Sequence, residues 1–285
     1  MGATAIRTFK LPSGESIPAL GQGTWHMGET NRRRKEEIAT LRLGLDLGLS
    51  LIDTAEMYAD GATEDLVGEA IDGRRDEVFL VSKVLPQHGS VRRCIKACEQ
   101  SLLRLGTDHI DLYLLHWRGP TPLGETLEAF EKLRSQGKIR HYGVSNFDLT
   151  DLDDLGRASE GKGKRGAQTD QVLYNLKRRG IEFDLLPWCR ERRLPVMAYS
   201  PVEQGRLLDN AVLAKIGERH RATAAQVALA WVLRHDFVCA IPKASNPAHV
   251  RENRAALDIE LSGDDLAELD REFPPPKGAM PLEMI

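Results

Sequence analysis

The sequence predicts an α/β fold, a parallel (β/α)8 TIM barrel with an N-terminal β-hairpin plug. Three observations lead there. Short apolar runs alternate with longer segments of helical periodicity along most of the chain, and eight such runs can be counted. The runs are too continuously apolar for a sheet with one wet face, as expected of parallel strands covered on both sides. A doubly wound open sheet, the rival, usually carries a glycine fingerprint after its first strand, and Gly21, Gly23 and His26 do not complete one.

Residues 6–9 and 15–17 flank the turn-forming segment LPSG and read as the hairpin. Residues 19–21 are expected as the first barrel strand, leading into Gly23, Thr24 and Trp25. The other strands are expected at 51–53, 78–82, 110–115, 139–144, 167–170, 195–199 and 238–241. Helices are expected at 35–47, 63–71, 91–105, 124–136, 149–157, 183–192, 210–234 in two pieces, and 247–256. In the 91–105 segment Val91, Ile95, Cys98, Leu102 and Leu105 recur at steps of four, three, four and three, one face of a helix, and Gly106 supplies its stop. Beyond Leu257, Ser262 with Asp265 has the form of a capping box ahead of a last short helix at 264–273, which prolines 274–276 end.

A chain of 285 residues suits one barrel of ~250 residues without a linker. The whole, 1–285, therefore reads as a single domain, with 258–285 a C-terminal helix and tail packed on the barrel. A hydrophobic fraction of 41% with 28% charged residues fills a sizeable core, and a net charge of -3 gives no general attraction to nucleic acid or to an anionic membrane. No apolar run reaches a membrane span or a signal peptide, and Ile6 stands where a myristoylation signal needs Ser or Thr, so a cytoplasmic protein is expected. The four cysteines form no CxxC pair, and Cys94 and Cys98 read as small apolar residues on one helix face in a reducing compartment. The eight histidines form no HxH or HExxH pair, and no metal is expected. The segment GKGKRG at 161–166 lacks Walker spacing and reads as a loop, and the basic run from Arg32 to Lys35 reads as a solvated helix start.

Three of the strands end in chemically useful residues. The run LSLIDTAEMY brings Asp53 to a strand end with Tyr58 five positions on; the third and fourth strands deliver Lys83 and His116. In a barrel all these ends share one rim, where chemistry is done. Tyrosine is a poor acid at neutral pH, with an ordinary pKa of ~10; a lysine beside it favours the phenolate and brings it nearer working pH. Asp53 would keep that lysine charged, and His116 would polarise a substrate carbonyl by hydrogen bonding. Taken singly, each has a plainer reading: a turn cap, a packed aromatic, a solvated charge and a structural histidine. Trp25 and Trp117 follow the first and fourth strands and would wall an apolar substrate cleft beside Tyr58 and His116. Only about seven residues, RGPTPLG, separate the fourth strand from its helix, which leaves that wall short and the pocket permissive.

DTAEMY with Glu64 and VGEAI, a strand ending at Lys83, and IDLYLLHW around His116 together resemble the aldo-keto reductase superfamily, from about Leu20 to about Leu257. The resemblance implies Asp53, Tyr58, Lys83 and His116 as the catalytic residues. It implies a nicotinamide cofactor held by Gly23, Thr24, Trp25 and Asp53, by Ser145 and Asn146 with Gln171 on the carboxamide, and by Tyr199 stacked on the ring. Ser200, Pro201, Gln204, Gly205 and Leu207 would follow the pyrophosphate. Ile241, Pro242, Lys243, Ala244, Ser245, Asn246, His249, Glu252 and Asn253 would surround the adenosine end, in keeping with phosphate sites after barrel strands seven and eight. His249 stands where NADP-preferring relatives often have arginine, Ala244 replaces a serine, and Asp170 replaces an asparagine. Lys243 with Arg251 or Arg254 would still hold a phosphate, and NADP(H) is favoured over NAD(H). The expected activity is reversible reduction of small aldehydes or ketones by a monomer. A nucleotide-sensing or partner-binding barrel, and an isomerase or hydrolase on an unrelated barrel, are the alternatives.

Overall fold

The computed structural model describes residues 6–160 and 166–285; the GKGKRG segment, apart from its last glycine, lies outside the described residues. Strands β1 (Thr8–Lys10) and β2 (Ser16–Pro18) pair antiparallel as the hairpin. Eight parallel strands follow: β3 (Gln22–Gly23), β4 (Leu51–Asp53), β5 (Phe79–Val84), β6 (Ile110–Leu115), β7 (Ile139–Ser145), β8 (Asp170–Leu173), β9 (Val196–Tyr199) and β10 (Val238–Ala240). Each pairs with its sequence neighbours. The ring closes where Gly21 N–H donates to the Ala240 carbonyl at 2.9 Å, Ala240 N–H to Ala19 at 2.9 Å, and Gly23 N–H to Pro242 at 3.1 Å. That seam needs glycine, because a Cβ at Gly23 would come within 2.5 Å of the Ile241 carbonyl oxygen.

The outer layer around the ring is made of helices α1 (Asn31–Asp46), α2 (Ala62–Ile71), α3 (Val91–Leu105), α4 (Leu123–Ser135), α5 (Leu149–Ser159), α6 (Leu185–Glu191), α7 (Ala211–His220), α8 (Ala224–Leu233) and α9 (Pro247–Ala255). The break between α7 and α8 has two causes: Arg221 turns left-handed at φ 53°, and Thr223 with Gln226 forms a capping box that starts α8. The last helix, α10 (Gly263–Glu272), begins with the Ser262–Asp265 capping box.

Strand alternation makes two cores. Leu51, Val81, Leu112, Leu114, Met197 and Ile241 point into the ring, and Leu11 and Ile17 of the hairpin join them, so the plug is apolar and continuous with the barrel interior. The outward side chains meet the helices in the larger cluster. On α3 the inner face carries Cys94, Cys98, Leu102 and Leu105, while Leu103 is exposed. Burial pushes the Cys94 thiol up and the Cys98 thiol up to about 12, so neither is a thiolate at neutral pH.

The structure corrects several boundaries. The first barrel strand is registered at β3, three residues later than 19–21, although 19–21 supply the seam. The strand expected at 167–170 is β8, which begins at Asp170; Gln168 turns aside to accept from Ser13 N–H of the hairpin turn at 2.7 Å. Lys83 lies inside β5 rather than after it. Helix α1 starts at Asn31, which places the basic run Arg32 to Lys35 within the helix. The helix expected at 183–192 is α6, shorter at both ends; a short turn at Gly180–Glu182 precedes it, and Asp184 caps its start by accepting from Leu185 N–H at 2.6 Å.

Candidate active site

Asp53 ends β4, and the chain then doubles back through Ala59, Asp60 and Gly61, all left-handed at φ 47°, 52° and 94°. A backbone so strained is characteristic of sites that must aim a side chain. Tyr58, immediately before this turn, lies at the rim with its ring 4.8 Å from that of Trp25 and 5.9 Å from that of His116. Below it Lys83, fully buried in β5, donates to Asp53 Oδ2 at 2.7 Å, to the Thr54 carbonyl at 2.9 Å and to the Tyr58 hydroxyl at 3.0 Å. All three ammonium donors are used. Gln171 Nε2 donates to the other Asp53 oxygen at 2.7 Å, so the carboxylate is held on both sides.

The electrostatics differ from the expectation in one respect. Burial outweighs the Lys83 charge and leaves the Tyr58 phenol above its ordinary pKa, whereas charge alone predicts a lowered one. Tyr58 is therefore in its acid form at neutral pH. Burial alone would lower Lys83, but the charges and hydrogen bonds of Asp53 and Tyr58 leave it raised, so it remains an ammonium. His116, beside the rim, is pushed down to about 2 by burial and by Lys83, and is neutral.

A second polar layer ties the following strands together. Asn146, left-handed at φ 58°, donates from Nδ2 to the His116 carbonyl and to Ser145 Oγ, both at 3.1 Å. Ser145 donates to the Gln171 carbonyl at 2.7 Å, and the Tyr199 hydroxyl donates to Asn146 Oδ1 at 3.0 Å. Beyond Tyr199 the chain is left-handed at Ser200, Glu203, Gln204 and Gly205. Buried Glu203 anchors it, accepting from Asn175 Nδ2 at 2.8 Å and pairing with Arg178 at 3.1 Å. Arg178 reaches on to Glu283 of the C-terminal tail at 2.6 Å.

Over these layers lies a cleft of about 480 Å³. Asp53, Tyr58, His116, Trp25 and Trp117 line its floor and walls, with Gly23, Thr24, Ser145, Asn146, Gln171 and Tyr199. It continues along Ser200, Pro201, Gln204 and Gly205 to Ile241, Pro242, Lys243, His249, Glu252 and Asn253. Lys83 is beneath the lining. Leu207 is instead buried in the core, Ala244 is buried beside it, and Asn246 spends its side chain capping α9 by accepting from Ala248 N–H at 2.7 Å. Sequence reasoning missed His26, Met57, Leu208, Met284 and Ile285, which also line the cleft. No spacing rule marks them, since they come from loops and the tail.

At the far end Lys243 and Arg33 converge on Ser245, whose hydroxyl lies 3.1 Å from Lys243 Nζ and 2.7 Å from an Arg33 nitrogen. Arg33 belongs to the run read as solvated. Arg254, named with Lys243 as a phosphate ligand, is buried with its guanidinium 3.6 Å from Asp258. A cleft with an aromatic ring and amides at one end and two cations around a hydroxyl at the other fits a dinucleotide carrying an extra phosphate. Among the described residues no group of three or more His, Cys, Asp or Glu is placed to share a metal ion.

Known proteins resemble this chain over nearly its whole length. The chain is 55% identical over 275 residues to the methylglyoxal reductase YeaE of Escherichia coli, covering 95% of this chain and 96% of that one. It is 36% identical over 266 residues to a glyoxal reductase of Bacillus subtilis, covering 92% and 91%. The fold superposes with a TM-score of 0.95 on an aldo-keto reductase of Klebsiella pneumoniae solved in complex with NADPH, at 51% identity, over 99% of this chain and 100% of that one. The family profile described as "Aldo/keto reductase family" matches residues 19–272, spanning both the buried Asp53–Lys83–Tyr58 chain and the Lys243 end of the cleft, and the protein belongs to that family.

Proposed function

We propose that the protein reduces small aldehydes and ketones with NADPH, and that short dicarbonyls such as methylglyoxal are among its substrates. The observation that carries this reading is the chain of contacts Asp53–Lys83–Tyr58 directly beneath a cleft long enough for a dinucleotide. Bound NADPH supplies the hydride. Tyr58 delivers the proton to the carbonyl oxygen, and Lys83, held charged by Asp53, stabilises the phenolate left behind until solvent reprotonates it. Neutral His116 donates a ring N–H to the same oxygen and orients the substrate. Tyr199 offers its ring face to the nicotinamide, and Trp25 and Trp117 hold the substrate's remaining carbons. The one-barrel organisation of 1–285, a monomeric state and a cytoplasmic location belong to the same proposal. Among the described residues no helix is long and apolar enough to cross a membrane.

Following NADPH absorbance with methylglyoxal and a panel of small aldehydes tests the reading. Turnover in the parent and its loss in Tyr58→Phe are expected. A flat trace across the panel, with NADPH still bound, would leave a nucleotide-binding barrel without turnover.

A further inference from the structure

Two cations share one hydroxyl at the adenosine end of the cleft. Arg33 comes from the first turn of α1, Lys243 follows β10, and Ser245 lies between them at 2.7 and 3.1 Å. They are brought together by the seam, since α1 follows the first barrel strand and the Lys243 loop follows the last. Bringing like charges to one oxygen costs energy unless an anion joins them. The ammonium of Lys243 is held below its ordinary pKa by burial and then by the Arg33 charge. The nearest carboxylate to Arg33 is Glu37, 4.0 Å from its Nε. That contact uses Nε and leaves the end of the fork on Ser245.

We infer that Arg33 is a cofactor-specificity residue, the second cation of a site for a phosphate monoester, which with Lys243 and Ser245 binds the 2′-phosphate of NADPH and discriminates against NADH. The inference rests on the reading of the cleft as a nicotinamide-dinucleotide site. Arg33 takes over the part that an arginine at position 249 would play: His249 lines the cleft, while the second charge comes from α1 and meets Lys243 at the Ser245 hydroxyl. A guanidinium suits the task because its planar fork meets a phosphate with two parallel hydrogen bonds while Lys243 acts as a point charge. The Arg33 side chain itself is half-exposed.

A purely structural role, tying α1 to the loop after β10, makes a different prediction: loss of stability and equal loss of both cofactors. Titrating the full-length protein with NADPH and with NADH, read by tryptophan fluorescence, separates the two. In Arg33→Met the NADPH dissociation constant is expected to rise roughly 10- to 100-fold, the worth of a charged hydrogen-bonded contact. The NADH constant is expected to stay within about twofold, and Arg33→Lys to recover part of the NADPH affinity, since an ammonium keeps the charge without the fork. Thermal melts of each variant control for folding. An unchanged NADPH constant in Arg33→Met, or equal weakening of NADPH and NADH, overturns the assignment of Arg33 while leaving the reductase reading intact. A parent protein that binds neither nucleotide overturns both.

Discussion

Lys83, with no surface of its own exposed, donates to the Tyr58 hydroxyl across 3.0 Å, and the two side chains answer differently to removal. Tyr58→Phe keeps the ring contact with Trp25 and leaves Lys83 bonded to Asp53 and the Thr54 carbonyl. Its melting temperature and NADPH affinity are therefore expected to hold while kcat falls roughly a hundred- to ten-thousand-fold. Lys83→Met strands a buried Asp53 with Gln171 as its remaining side-chain donor. That variant is expected to lose turnover and about 3–5 kcal/mol of stability, read by urea denaturation.

The neutral state of His116 sets a pH signature. Unfolded, an imidazole takes up a proton below about pH 6.5. Folded, His116 stays neutral down to about 2. Its contribution to stability is thus fully present above pH 6.5 and is lost as the pH falls, by about 1.4 kcal/mol per unit. Urea midpoints at several acidic pH values, compared with His116→Gln, measure that slope. For activity the same neutrality predicts a kcat/KM for reduction with no histidine transition near pH 6.5. At high pH, reduction declines once Tyr58 ionises, which its raised pKa delays.

Asp170 is a buried carboxyl in β8 with no side-chain hydrogen-bond partner among the described residues, and burial, only partly offset by the Phe147 backbone N–H, raises its pKa well above the ordinary value. It is protonated in the fold and ionised in the unfolded chain above about pH 3.9, so stability is lost as the pH rises from there toward its folded pKa. Asp170→Asn removes the penalty. A gain of about 1–3 kcal/mol is expected at pH 8, and a smaller one at pH 4, from denaturation midpoints at the two values.

Arg178 joins the Ser200–Gly205 loop, through Glu203, to the tail, through Glu283. Arg178→Met leaves Glu203 with Asn175 and Arg206 and releases Glu283. Cofactor affinity is expected to weaken roughly threefold to tenfold, as a loosened loop must be ordered on binding. Hydrogen exchange at residues 200–206 and 280–285 should quicken together; quickening in the tail alone would show that the two segments are independent.

Much of this architecture is legible in the chain, for reasons that also mark where legibility stops. β4, β6 and α3 match their expected ends because an apolar run bounded by polar residues, or a stripe ended by a left-handed glycine, is a local signal. β8 is misplaced because Asp170 and Gln171, polar residues inside a buried strand, look like a strand's end. The meeting of Asp53, Tyr58, Lys83 and His116 is readable once the barrel is, since strand ends share a rim. The direction of the Tyr58 shift is not, because neighbouring charge can be counted along a sequence while depth of burial cannot. Arg33 is invisible for a related reason: its partner Ser245 is 212 positions away, across a seam that exists only in the closed ring.

That seam has a consequence for biosynthesis. The backbone of residues 19–23 finds its partners in 240–242, so the cleft has no far wall until both ends of the barrel exist together. During translation the phosphate grip comes into being late, after about five-sixths of the chain has emerged. An amino-terminal fragment that stops short of β10 lacks Lys243 and Ser245, and with them the cations' shared hydroxyl at the phosphate end.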